Sequence, residues 1–160
     1  MKKLRKDNKG FTLVELIVVL VILAILAAIL VPALLGYIDE AKQKQIVLHG
    51  KSIYTASQTV ASKYYAKAKD LTNDTPAKSS SGFAKDVYTI ADMADFGDNA
   101  DAWVSFSGKD KHKGYVVDQI AYTEDGENWI WFDGTSWESG SGSVASASEK
   151  VQVNKSKAGN

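Results

Sequence analysis

The chain has 160 residues, enough for one ordinary domain with attachments and too short for two comfortable ones. Lysine and arginine total 19 and so do aspartate and glutamate, so no global positive charge is available to hold a nucleic acid. There is no cysteine and there are two histidines, His49 and His112, which removes disulfides, thiol catalysis and Cys-ligated zinc and nearly excludes histidine-rich metal chemistry.

Charge and hydropathy are segregated along the chain. Residues 1–10, MKKLRKDNKG, set Lys2, Lys3, Arg5, Lys6 and Lys9 against Asp7 alone. Phe11 to Leu35 then has no basic residue and one acid, Glu15, in an otherwise almost wholly apolar run. As a helix this run would be roughly 38 Å long, enough to cross a hydrocarbon core of ~30 Å with some tilt. Basic residues cluster before the span and the larger part of the chain follows it, which predicts a cytoplasmic N-terminus and an extracytoplasmic C-terminal region. A cleaved secretory signal fits poorly, because the apolar run is too long and carries Glu15 in its first turns. A plain anchor fits the length and charge but gives no reason for a carboxylate that costs ~2.5–3.5 kcal/mol at the bilayer centre.

Gly10-Phe11-Thr12-Leu13-Val14-Glu15, after a short basic leader and before an apolar helix, resembles the processing site of type IV prepilins and of their type II secretion and competence relatives. The resemblance covers about the first 35 residues. It implies that prepilin peptidase cuts between Gly10 and Phe11 and that Phe11 becomes N-methylphenylalanine. It also implies an assembly role for Phe11, Thr12, Leu13, Glu15 and Pro32. Glu15 sits one turn from the new ammonium, at a helix end that already favours negative charge. In the family this glutamate meets the N-terminal amine of a neighbouring subunit, turning two unpaired buried charges into one pair. Pro32 removes a backbone donor near the end of the run, where a kink is expected. Ala24 stands where the family often has glycine, and alanine favours helix by ~0.8–1.0 kcal/mol, which argues against melting there. The implied partners are further copies of the chain in a helical homopolymer, prepilin peptidase, the pilus assembly platform with minor pilins, membrane lipid before assembly, and a surface or DNA ligand.

Downstream of Gly36 the apolar residues Ile38, Ala41, Leu48, Ile53, Ala56, Val60 and Tyr64 recur at helical spacing among lysines, so one helix is expected from Phe11 to near Ala68, weakened locally at Gly50. Asp70 to Gly82 is rich in turn formers and reads as the loop leading into a sheet. Strands are expected at 102–107, 115–122 and 127–133, with Asp125-Gly126 and Asp133-Gly134 as turns of an antiparallel meander. The fold class expected is therefore α+β, type IV pilin-like: a long N-terminal helix packed on a small antiparallel sheet. Its divisions are a leader (1–10), a transmembrane and filament-core helix (11–35), a globular part (36–138) and a low-complexity tail (139–160) with a short edge strand at 151–153.

Alternation in the third strand puts Trp129 and Trp131 on one face, which makes them candidates for surface or glycan binding, against the plainer expectation that both sheet faces are covered. Asp92, Asp95, Asp98 and Asp101 recur every third residue. The last three are weak calcium candidates, because an EF-hand loop needs oxygen ligands at alternate positions and a solvated loop fits better. His49 and His112 read as surface residues. No G-x-S-x-G, P-loop, Rossmann glycine pattern or H-E-x-x-H occurs, so the sequence points to a structural protein without a cofactor. Two other readings remain open: a pseudopilin of a secretion or competence system, and a monomeric membrane-anchored glycan-binding module.

Overall fold

The computed structural model describes residues 10–69, 75–78, 80–107, 113–140 and 150–159. The basic leader before Gly10, His112 and residues 141–149 of the expected tail lie outside the described residues. The chain divides into two compact units, Met1–Lys42 and Gln43–Asn160, and helix α1 (Leu13–Lys67) contributes to both.

In the first unit α1 is built largely from Val, Ile and Leu, residues of middling to good helix propensity. A helix suits them because it satisfies every backbone polar group within the segment, as hydrocarbon surroundings demand. From Phe11 to Leu35 the large apolar side chains are between 49% and 86% exposed, on every side of the helix. The helix continues through Ala24 and through Pro32, whose ring nitrogen cannot donate to the carbonyl of Ala28 four residues back.

In the second unit the buried residues of α1 are Gly50, Ile53, Ala56, Ser57, Val60 and Ala61, a seam of mostly small side chains that lets the sheet come close. The seam starts later than the apolar periodicity suggests. Ile38, Ala41 and Leu48 are exposed, and Tyr64 is half-buried on the aromatic ring of Phe83. Gly50 also plays a different part from the expected weak point. A Cβ there would lie 2.5 and 2.7 Å from the indole atoms Cζ3 and Cη2 of Trp137 and 3.1 Å from Cδ1 of Ile130, so the missing side chain is the notch that receives the tryptophan.

Helix α2 (Ser80–Ile90) corrects the expected 70–82 loop, which was read as leading straight into the sheet. Its Ser-Ser-Gly start discourages a helical assignment, but Phe83, Ala84 and Val87 fall on one face and are buried, and that burial offsets the poor propensity. A 3₁₀ turn over Met93–Phe96 follows, after Asp92 in the left-handed region at φ 57°.

The sheet is antiparallel, with strands β1 (Asp101–Phe106), β2 (Val117–Thr123), β3 (Ile130–Phe132), β4 (Trp137–Ser139) and β5 (Lys150–Asn154) in the order β4-β3-β2-β1-β5. The expected meander is therefore present, extended by β4, and the edge strand in the tail runs over Lys150–Asn154. Register places two cross-strand rows on the core face: Val153, Ala102, Tyr122 and Ile130, then Val151, Val104, Ile120, Phe132 and Trp137. Val151 and Val153 are buried, so this part of the low-complexity tail completes the core. A short helix, α3 (Lys155–Ala158), closes the chain, capped by the Asn154 side chain accepting from the Lys157 amide.

Candidate functional site

Thr12 is the N-cap of α1 and Glu15 the third residue of its first turn. The Thr12 amide donates to Glu15 Oε2 at 2.9 Å and its hydroxyl donates to the same oxygen at 2.7 Å. In return the Glu15 amide donates to the Thr12 hydroxyl oxygen at 3.3 Å. This reciprocal capping box fixes the start of the helix at Leu13 and leaves Gly10, Phe11 and Thr12 outside regular structure. The T-x-x-E spacing made the box legible in the sequence, where the carboxylate was read only as a partner for an ammonium. Both Thr12 contacts use Oε2, and Oε1 has no hydrogen-bond partner among the described residues. The carboxylate can thus hold its own helix end and still offer an acceptor outward. Phe11, Leu13 and Pro32 stand in exposed positions of the same segment.

The tryptophan pair singled out in the sequence lies at and just before β3. Trp129 lies before β3, and Trp131 occupies its centre, facing away from the core. Its cross-strand row reads Gln152, Trp103, Ala121, Trp131, Glu138, so the aromatic neighbours across Ala121 are Trp103 and Trp131. Both rings are half-buried, and the Lys150 ammonium lies 5.1 Å from the Trp103 ring centroid. Trp103 was missed because a single tryptophan in a strand gives no facing information until its register is known.

The acidic series is dispersed among different partners. Lys155 donates to Asp98 at 2.5 Å, and that ammonium holds the Asp98 carboxyl below its usual range. Asp101, half-buried in β1, accepts from Gln152 Nε2 at 2.7 Å and Asn154 Nδ2 at 3.3 Å, while burial pushes its carboxyl up. Among the described residues no group of three or more His, Asp or Glu side chains is placed to hold a metal ion.

His49 corrects the expectation of a surface residue. Its Nδ1 pairs with Glu124 Oε1, its ring stacks on Phe96 at a 4.0 Å centroid distance, and Tyr122 donates to the same Glu124 oxygen at 3.3 Å. Burial, with Glu124 alongside, pushes the Tyr122 phenol up. These contacts tie α1 to the far end of β2. At the neighbouring β2–β3 turn, Asp125 accepts from the amides of Glu127 and Asn128, the Asn128 side chain and the Thr123 hydroxyl. These bonds, those from Asn128 foremost, hold its carboxyl far below the usual range.

Residues 5–31 match the family described as the prokaryotic N-terminal methylation motif. No curated protein and no solved structure matches the chain significantly. The match brackets Gly10, Phe11 and the capping box, and it falls on the start of a long helix that continues onto a small antiparallel sheet. The chain therefore carries the prepilin-type N-terminal methylation motif at the head of an α+β fold of pilin-like arrangement, a long N-terminal helix packed on a small antiparallel sheet.

Proposed function

We propose that the chain is a structural subunit of a type IV pilus. Prepilin peptidase removes residues 1–10 on the cytoplasmic side, Phe11 is methylated, and the subunit waits in the membrane with its C-terminal unit outside. The observation that carries this reading is the coincidence of the methylation motif at 5–31 with a helix whose apolar side chains from Phe11 to Leu35 all stand exposed. Such a surface has no place in water. A subunit that leaves the bilayer must bury it against equally apolar helices of other copies, in a heterologous packing that stays open at both ends. Glu15 then selects the register: its unengaged Oε1 accepts the Phe11 ammonium of the neighbouring copy, so that neither charge is left alone in the apolar bundle.

Mass spectrometry of the N-terminal peptide, on sheared filaments and on membranes, tests the reading. An abundant sheared species starting at methylated Phe11 supports a pilus subunit. Processed Phe11 found in membranes alone moves the assignment to a pseudopilin, and an intact leader everywhere overturns both. Glu15→Leu is expected to leave processed protein in the membrane and to abolish efficient polymerisation; normal filaments from that variant would refute the role given to Glu15.

A further inference from the structure

The second unit has opposite charge at its two ends. One end gathers the loop before β1 and the β2–β3 turn around His49: Phe96 stacks on that ring, Glu124 pairs with it, and Asp101 lies opposite Thr123 in the ladder. It carries Asp92, Asp95, Asp98, Asp101, Glu124, Asp125 and Glu127. His49 answers Glu124 and Lys155 answers Asp98, and Lys42, Lys44, Lys51 and Lys157 are further cations of the neighbouring elements. Among the described residues Asp92, Asp95 and Glu127 are exposed with no side-chain partner, and Asp125 is held by neutral donors.

The other end is the last part of α1. From Ser52 to Lys69 the chain holds Lys63, Lys67 and Lys69 and no acid, and Lys63 and Lys67 in the last turns of α1 are exposed and without an ion-pair partner among the described residues. Asp118 and Asp133 belong to the flank made by the start of β2 and the β3–β4 turn, where Asp133 is occupied by the Thr135 and Ser136 amides. Along the helix, Lys63 and Lys67 are roughly 21–27 Å from His49. This is well beyond a screening length of ~8 Å at physiological ionic strength, so the two ends do not neutralise each other within one molecule.

We propose that these ends are the two halves of one contact between copies of this chain. Carboxylates of Asp92, Asp95, Asp125 and Glu127 on one copy face the ammonium groups of Lys63 and Lys67 on the next. The occupant is a second copy because the unit supplies both signs at opposite ends, the arrangement that repeats head to tail without closing. The contact rests on the filament reading above and gives the polymer a polar register outside its apolar bundle, and like ends repel.

The test compares three full-length variants by polymer yield after shearing: Asp95→Lys with Glu127→Lys, Lys63→Glu with Lys67→Glu, and all four together. Each two-site reversal is expected to lower polymer roughly tenfold, and the four-site variant to recover most of it, because opposite charges again meet. Polymer from the wild type is expected to weaken between low and high salt. Equal yields from all variants, or a four-site variant as poor as the two-site ones, would overturn the contact. If a reversal lowers the melting temperature of the unit, Asp95→Asn with Glu127→Gln and Lys63→Gln with Lys67→Gln replace it; unchanged yield and unchanged salt response then overturn the proposal. Wild-type chain that is processed at Phe11 but never polymerises instead refutes the filament reading, and the contact falls with it.

Discussion

Gly50→Ala should destabilise the C-terminal unit, although in an open helix the same change stabilises. Helix propensity alone favours alanine by ~0.8–1.0 kcal/mol. The added Cβ, however, would sit 2.5 Å from Cζ3 and 2.7 Å from Cη2 of Trp137, where carbon atoms normally stay about 3.5–4.0 Å apart. Movement of the indole would disturb its stack on Phe132, with centroids 5.2 Å apart, and Phe132 is itself set edge-on against Tyr54 at 5.1 Å. Overpacking of this kind costs ~1–3 kcal/mol, so after the propensity gain the net loss is up to about 2 kcal/mol, or a melting point lower by up to several degrees. Thermal unfolding of the detergent-solubilised chain, followed by tryptophan fluorescence and near-UV circular dichroism, reads the effect. The diagnostic is a sign reversal: with Trp137→Ala already in place the notch is empty, and Gly50→Ala should then raise the melting temperature. A Gly50→Ala variant that melts at or above the wild type in the Trp137 background would refute the notch.

Ser57 buries its hydroxyl in the core with no hydrogen-bond partner among the described residues, so Ser57→Ala should stabilise the unit by about 1 kcal/mol in a denaturant titration. Phe83→Ala should cost ~3–5 kcal/mol, since the ring is fully buried between Tyr64 and Phe106, and near-UV dichroism should show the core lost or loosened. The carboxyls of Asp125 and Asp133 are lower in the folded unit than in an unfolded chain, so they contribute stability above the ordinary carboxylate pKa of ~3.9 that is lost as pH falls through their folded values. Melting curves from pH 7 to pH 2 should therefore decline on the acid side. Asp125→Ala should flatten that decline, and an unchanged acid limb would count against the turn bonds as its cause.

The N-terminal segment was legible because its signals are local. A basic leader, Gly10-Phe11, a carboxylate five residues beyond the glycine and an apolar run of spanning length each act within a turn or two of helix or through plain transfer energetics, and none depends on a distant residue. The length of α1 was readable for the same reason, ending at Lys67 where turn formers begin. The strands at 101–106 and 117–123 announced themselves through β-branched and aromatic content.

What the sequence left undecided depends on partners far away in the chain. Ser80–Ile90 is helical because the core rewards the face carrying Phe83 and Val87, a gain that no local propensity contains. Gly50 looks like a helix breaker until Trp137 arrives from 87 positions downstream. Trp103 and Trp131 fall in one cross-strand row, either side of Ala121, only through the register of three strands, and His49 acquires Glu124 and Phe96 only when the loop and turn fold back onto α1. Sequence alone determined the methylation motif, the long apolar helix that bears it and the α+β class, because periodicity, charge and transfer free energy are properties of short stretches. Tertiary structure decided which face of α1 is buried, which tryptophans share a cross-strand row and how charge is divided between the two ends of the unit, because packing and register join residues that the chain itself keeps far apart.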